Sequence, residues 1–220
     1  MVSLVGKIAP VGSACDEVFG DEVVSLFPEE EATVVSAVPS RRAEFATGRA
    51  CARKALRTLG VPLASVPRGE GGAPLWLPGV VGSITHCEGY RAAVVAWSTT
   101  YLSLGVDAEV NEPLPPEIVD LVATRREMAS MPGLPRADVH WDRLLFSAKE
   151  TVYKASFPLT RQWLDFHDVE IEFTDRGYFV ATCPQVSPSL GLQHFRGRWV
   201  ADPDFIVTLS AVPAPKLSAT

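Results

Sequence analysis

The chain has 220 residues, 47% of them hydrophobic, with a formal net charge of −6 and a pI near 5.3. This composition is typical of a globular protein with a real core, and the length allows one large domain or two small lobes. The acidic balance argues against broad nucleic-acid binding but leaves room for a local basic patch. No secretory pattern or membrane-spanning run is recognisable and the four cysteines are widely spaced, so we expect a cytoplasmic protein with reduced thiols.

Residues 40–59 carry the first clear helical pattern. Ser40 can cap this helix, Gly60 follows its last turn and Pro62 prevents its continuation. Three basic residues line one flank of the apolar face: Arg42, Arg49 and Arg53. Such a stripe is either solvated surface or an anion site, because guanidinium forks suit phosphate. The acidic segment before it, residues 16–31, predicts a short helix or an edge strand without chemistry.

A glycine-rich turn at residues 68–72 is followed by predicted strands at 74–78 and 80–85. The second strand leads through Ser83 and Thr85 into His86. Backbone amides, hydroxyls and an imidazole at a strand end can together hold a phosphate. A single histidine is nevertheless more often structural than functional, so this segment alone leaves both readings open.

Two further strands are predicted at 91–97 and 101–110, as antiparallel neighbours. The second contains Asp107 and Glu109, two residues apart, so both carboxylates project from one face. Adjacent carboxylates repel each other unless a cation, a proton or an arginine separates them. The pair is either a polar strand end or half of a Mg²⁺ site.

Residues 141–157 predict the helix around which the chain is organised. Its apolar arc contains Trp141, Leu144, Leu145, Ala148, Val152 and Ala155, and its polar arc contains Arg143, Ser147, Glu150 and Lys154. We expect Asp138 to cap its start and Pro158 to stop it. A short helix within 113–131 precedes it, and strands at 166–173, 178–183, 195–201 and 205–212 follow it.

This order of elements predicts an α+β fold of two pseudo-symmetric lobes, each a small, mostly antiparallel sheet packed with helices. The boundaries we expect are residues 1–103 and 104–220. Three carboxylates, a lysine and several arginines fit the transfer of a phosphate-containing group, in which catalysis consists of positioning and charge neutralisation.

Two motifs resemble the paired signature of the Sfp-type 4′-phosphopantetheinyl transferases, closest to the EntD-like branch of actinobacteria. They are G-V-D-x-E at residues 105–109 and F-S-x-K-E-x-x-x-K at residues 146–154. The resemblance extends over most of residues 40–212. It implies a pseudo-twofold enzyme that binds CoA between its lobes, transfers the phosphopantetheine arm to a serine of an apo carrier protein and releases 3′,5′-ADP.

The resemblance also implies roles for individual residues. Asp107, Glu109 and Glu150 would hold Mg²⁺, with Mn²⁺ as the alternative, beside the CoA pyrophosphate, and Lys154 would offset the phosphate charge. Glu150, or a metal-bound water that it positions, would be the base for the carrier serine. The implied CoA contacts are Arg41, Arg49, Arg53, Arg68, Ser83, Thr85, His86, Lys149 and Lys154. Among them, Arg41, Arg49 and Arg68 match positions that hold the 3′-phosphate and the adenosine.

The expected partners are CoA and apo acyl or peptidyl carrier proteins, with no nucleic acid and no membrane, and the family's members are usually monomeric. Because such carriers are acidic, Arg125, Arg126 and Arg136 are candidate docking residues, or else are only solvated. Two other functions stay open: a non-catalytic module that binds CoA or a carrier, and another Mg²⁺-dependent phosphotransferase or hydrolase acting on CoA-like nucleotides.

Overall fold

The computed structural model describes residues 3–131, 136–174, 177–186 and 192–215. Its helices there are α1 (Leu4–Ile8), α2 (Pro28–Val34), α3 (Pro39–Thr58), α4 (Pro116–Val122), α5 (Arg125–Ser130) and α6 (Trp141–Thr160). Its strands there are β1 (Ser13–Phe19), β2 (Val80–Cys87), β3 (Tyr90–Trp97), β4 (Tyr101–Val110), β5 (Glu170–Phe173), β6 (Tyr178–Thr182), β7 (His194–Ala201) and β8 (Phe205–Pro213). No helix in these ranges has both the length and the hydropathy of a membrane span.

The N-terminal sheet has the antiparallel order β1-β3-β2. Its central strand, β3, is buried along nearly its whole length, as a strand covered on both faces must be. Helix α3 packs on one face through Cys51, Ala52, Ala55 and Leu56. The helix predicted at 40–59 is confirmed, and it ends where Gly60 takes a φ of +85°. Its predicted cap is wrong: Ser40 lies inside the first turn, and Val38 is the N-cap residue because the helix starts at Pro39.

The C-terminal sheet has the antiparallel order β4-β8-β7-β6-β5. Helix α6 lies across it with an apolar stripe that is wholly buried, consisting of Leu144, Leu145, Ala148, Val152 and Ala155. The predicted apolar arc therefore faces the sheet. Two antiparallel sheets, each with its long helix, confirm the α+β fold class.

Several local predictions are wrong. Strand β4 pairs with β8, not with β3, although only three residues separate β3 from β4. Residues 74–78 are not a strand; Pro74 forms only an isolated bridge with Arg68. The segment 113–131 forms α4 and α5, and Thr124 starts the second through a reciprocal capping pair with Glu127.

The ends of α6 also differ from the prediction. Pro158 lies inside the last turn, and the helix ends at Arg161, whose φ is +56°. A proline there removes a single hydrogen bond, so one further turn can form after it. At the other end the helix starts at Trp141, so His140 is the N-cap residue, and the predicted cap Asp138 pairs with Arg136 instead.

The two sheets meet along a seam between β2 and β4. Hydroxyl groups of β2 accept hydrogen bonds from backbone N–H groups of β4: Ser83 Oγ from Val106 at 3.1 Å and Thr85 Oγ1 from Ala108 at 3.0 Å. These hydroxyl groups are buried. The seam therefore joins the lobes through side chains and forms the floor on which the candidate site is built.

Candidate active site

Gly105 brings α6 unusually close to β4. A Cβ atom at this position would lie 2.1 Å from the carbonyl oxygen of Thr151 and 2.8 Å from the backbone nitrogen of Ala155. Only glycine permits this approach of helix to strand. The glycine of the G-V-D-x-E motif thus places the polar arc of α6 directly above the carboxylates of β4.

Asp107 is the centre of the resulting cluster. Its Oδ1 accepts a hydrogen bond from Lys154 Nζ at 2.6 Å and another from Thr85 Oγ1 at 3.2 Å. Its Oδ2 is buried and has no hydrogen-bond partner among the described residues. Glu109, two residues along the same strand, pairs with Arg143 Nη1 at 3.1 Å.

The cluster is crowded with negative charge. Burial, reinforced by Asp107, raises the pKa of Glu109 to about 7 against the opposing effect of Arg143. Burial also raises the pKa of Glu150, with Lys154 opposing and Asp107 adding. For Lys154, burial is the largest single effect and lowers the pKa, but the charge and hydrogen bond of Asp107 together with the charges of Glu150 and Glu109 outweigh it, so the net shift of the pKa is upward. Lys154 therefore stays protonated, and a further cation would relieve the carboxylates.

The donor set suits a hard divalent cation, which prefers carboxylate oxygens together with phosphate and water. The unpartnered Asp107 Oδ2 is the observation that fits such an ion, because a buried carboxylate oxygen without a partner is costly. Across the described ranges, however, no three His, Cys, Asp or Glu side chains form a preorganised metal cage. Lys154 and Arg143 instead occupy oxygens of Asp107 and Glu109.

Four of the predicted CoA contacts converge on a cavity of about 120 Å³ beside α3: Arg41, Arg49, Arg68 and His86. Arg41 Nη1 donates to His86 Nε2 at 2.6 Å and pairs with Glu44 at 3.1 Å. Burial, with Arg41 adding, lowers the pKa of His86, so the imidazole is neutral at pH 7. This anion cavity combines three guanidinium groups with one carboxylate, Glu44.

Glycine is required at the turn that delivers Arg68. A Cβ at Gly72 would lie 2.7 Å from Arg68 Nη2, and Gly72 has a φ of +84°. The guanidinium group thus folds over the glycine-rich turn toward the anion cavity.

A larger cleft of about 680 Å³ separates the lobes. One wall consists of residues 69–76 and 80–84, and the other consists of residues 102–104 of β4 and the polar arc of α6, including Glu150 and Lys154. The cleft shares Gly72, Pro74 and Ile84 with the anion cavity, so the two are contiguous. A third cavity of about 330 Å³, lined by Trp163 and Phe166, opens on the other side of Glu150.

Other predicted contacts lie outside these cavities or are engaged elsewhere. Arg53 pairs with the buried Glu30 at 2.8 Å. Lys149 is buried and donates to Glu127 Oε2 and to the carbonyl oxygens of Val122 and Phe166, at 2.8 to 2.9 Å. Its three protons thus have protein acceptors, which gives Lys149 a packing role, although it also borders the third cavity, and its contact with CoA stays a prediction. The hydroxyls of Ser83 and Thr85 form the seam, although Ser83 also borders the cleft.

Two of the three candidate docking arginines are already neutralised. Arg126 pairs with Glu170 and Glu172, and Arg136 pairs with Asp138 at 2.5 Å. Sequence reasoning also missed one member of the site, Arg143, and one buried carboxylate outside it, Glu30. Arg143 was placed on the polar arc of α6 but given no role. Glu30 lies in an acidic segment whose apolar residues show no clear periodicity.

Comparison with known proteins agrees with this geometry. Residues 29–96 match the family model of the 4′-phosphopantetheinyl transferase N-terminal domain, and residues 103–207 match that of the 4′-phosphopantetheinyl transferase superfamily. The chain is 50% identical over 201 residues to the 4′-phosphopantetheinyl transferase Svp of Streptomyces mobaraensis, covering 89% of this chain and 82% of the relative.

Two further relatives have similar coverage. PptT of Mycobacterium tuberculosis is 44% identical over 189 residues, 82% of this chain and 83% of the relative. Npt of Nocardia iowensis is 38% identical over 221 residues, 94% of this chain and 99% of the relative. Both are named 4′-phosphopantetheinyl transferases, and with Svp they identify this chain as a member of the Sfp-type 4′-phosphopantetheinyl transferase family, in its actinobacterial branch.

Proposed function

We propose that this protein transfers the 4′-phosphopantetheine arm of CoA to a serine of an apo acyl or peptidyl carrier protein, as a holo-carrier-protein synthase. One observation carries the proposal. Glu150 and Lys154 line a cleft that continues into a cavity lined by arginines, and Lys154 also pairs with Asp107, two residues before Glu109 on β4. A molecule with a pyrophosphate at one position and a further phosphate at its nucleoside end fits both places.

CoA would lie with its 3′-phosphate at Arg41, Arg49 and Arg68 and its pyrophosphate beside Lys154. The arginine forks suit a phosphate dianion, and the lysine supplies a point charge. The cavities on either side of Glu150 offer two paths for the rest of the molecule. In this assignment residues 1–103 hold the nucleoside end, and residues 104–220 carry the reacting groups.

The reaction exchanges one phosphorus–oxygen bond for another. The serine oxygen bonds to the β-phosphorus as the bridging bond to the α-phosphate breaks, and adenosine 3′,5′-bisphosphate leaves. Lys154 holds a proton next to the charge that develops on the leaving oxygen. Glu150, whose pKa burial raises, is the candidate acceptor for the serine proton. Mg²⁺ held by Asp107, Glu109 and Glu150 would neutralise the pyrophosphate.

The decisive experiment mixes the purified protein with CoA, Mg²⁺ and an apo carrier protein and reads the carrier by intact mass. We expect the carrier to gain one phosphopantetheine group, and a carrier with its serine replaced by alanine to gain none. Removing Mg²⁺ with EDTA should stop the reaction and adding it back should restore it. CoA binding without labelling would favour a binding module, and CoA breakdown without labelling would favour a hydrolase.

The carboxylates can be tested separately. Asp107→Asn and Glu150→Gln should each abolish labelling while the far-ultraviolet circular dichroism stays that of the wild type. Glu112→Gln is the matched control, because this carboxylate is exposed just beyond the end of β4. Full activity in either site variant would remove that residue from the mechanism.

A further inference from the structure

The side chain of Glu30 is fully buried in the first turn of α2. Both of its oxygens accept from Arg53 Nη1, at 3.0 and 2.8 Å. Oε2 also accepts from the backbone N–H of Phe27, and Oε1 accepts from that of Val66 at 2.8 Å. A buried carboxylate is tolerated only with such complete pairing. The cleft chemistry described above does not use it.

Val66 connects this carboxylate to the anion cavity. Its N–H group donates to Glu30, and its carbonyl oxygen accepts from Arg49 Nε at 2.5 Å. The two groups flank one Cα atom, and Val66 itself is fully buried. The position of Glu30 is thereby transmitted to Arg49 through one short backbone segment.

Within the described residues, Arg49 donates a side-chain hydrogen bond only from Nε. The side chain is 5% exposed and its guanidinium group lies 4.1 Å from the ring centre of Phe45. Its two terminal nitrogens donate to no residue in the described part of the chain, and Arg49 lines the anion cavity. Because the guanidinium group is planar, fixing Nε and the stacked face fixes where the terminal nitrogens point.

We propose that Glu30 is a positioning residue that, through Val66, holds Arg49 with its terminal nitrogens facing a nucleoside 3′-phosphate. The inference rests on the proposed function, which supplies the ligand class. A positioning role and a purely electrostatic effect of Glu30 predict opposite changes in phosphate affinity. Removing a negative charge next to an anion site should tighten phosphate binding, whereas removing the group that orients Arg49 should weaken it.

Calorimetric titration with adenosine 3′,5′-bisphosphate and with adenosine 5′-monophosphate tests the proposal. In Glu30→Gln, one side-chain oxygen must replace two, so the contacts to Phe27, Arg53 and Val66 cannot all persist. The Kd for the bisphosphate should rise by about threefold to tenfold. The Kd for the monophosphate should change by less than about twofold, because only the 3′-phosphate reaches Arg49.

Glu31→Gln is the matched control. It removes the same charge from the neighbouring residue of α2, where Glu31 pairs with Arg42 at the surface. Its bisphosphate Kd should stay at the wild-type value. A folded Glu30→Gln with unchanged or tighter bisphosphate binding overturns the proposal. An equal loss of affinity for both nucleotides also overturns it, since that is the mark of a merely structural role.

If Glu30→Gln does not fold, the double variant Glu30→Met/Arg53→Met replaces it. Exchanging a buried ion pair for apolar side chains of similar size often preserves stability, yet Val66 still loses its acceptor. The same rise in bisphosphate Kd is expected, and an unchanged Kd overturns the proposal. Binding does not require transfer, so a wild type that binds the bisphosphate but labels no carrier refutes the proposed function alone.

Discussion

Replacing Gly105 with alanine should separate the polar arc of α6 from the carboxylates of β4. The new Cβ would lie 2.1 Å from the carbonyl oxygen of Thr151, an atom of the helix backbone that cannot rotate away. An ordinary carbon–oxygen contact needs about 3.4 Å, so the helix must retreat by roughly 1.3 Å. Lys154 now reaches Asp107 at 2.6 Å, and such a retreat would break this contact.

The expected consequences are of two kinds. Overpacking should cost about 1 to 3 kcal/mol of unfolding free energy, measured by urea titration. A displacement of about 1 Å at a reacting group should lower kcat for carrier labelling by about a hundredfold. Gly197→Ala is the control, because its Cβ would lie 2.0 Å from the Phe179 ring within the same sheet. It should lose stability but keep its kcat.

Wild-type kcat in a folded Gly105→Ala variant would refute this reasoning. It would mean that the close approach of α6 to β4 does not position the catalytic groups. An equal loss of kcat in Gly197→Ala would show that general destabilisation of the sheet is the cause.

Three further predictions follow from burial. Lys149→Met should cost about 3 to 5 kcal/mol in urea unfolding because it leaves the buried Glu127 without its cationic partner, whereas the exposed Arg126→Met should cost at most about 1 kcal/mol. Burial raises the pKa of Cys51 and Cys183 to about 12, so the thiolate is scarce at pH 8 and a disulfide reagent should label these thiols only after unfolding; rapid labelling of the native protein would contradict this. Thr85→Val should cost about 1 to 3 kcal/mol and Thr85→Ser should restore it, because the hydroxyl accepts from the buried N–H of Ala108; equal stability of the two variants would exclude that role.

Periodicity predicted what depends on local sequence. The helices at α3 and α6 follow from apolar spacing, and the side on which Glu150 and Lys154 lie follows from the same wheel. The pairing of β4 with β8 depends on segments about a hundred residues apart, and alternation within a strand carries no information about its partner. A short loop after β3 suggested a hairpin, but β4 belongs to the other sheet.

The site was harder to predict residue by residue. Lys149 and Glu150 are neighbours in a motif, yet one helical step of 100° turns the lysine into the C-terminal lobe and the glutamate into the cleft. Arg49 and Arg53 lie on the same predicted basic stripe, but Glu30 forms an ion pair only with Arg53. Helix α2 has only seven residues, which is too short for the hydrophobic periodicity to predict that Glu30 is buried.

The seam between β2 and β4 also bears on how the protein avoids unwanted association. Each of these strands ends its own sheet, and a free sheet edge invites pairing with a second chain. Here the hydroxyls of Ser83 and Thr85 accept hydrogen bonds from backbone N–H groups of β4, so residues of the same chain cover this sheet edge. Because side chains accept these hydrogen bonds, the backbone hydrogen-bond pattern of one sheet does not continue into the other sheet. Active-site architecture and protection against edge-to-edge aggregation thus depend on the same two hydroxyls.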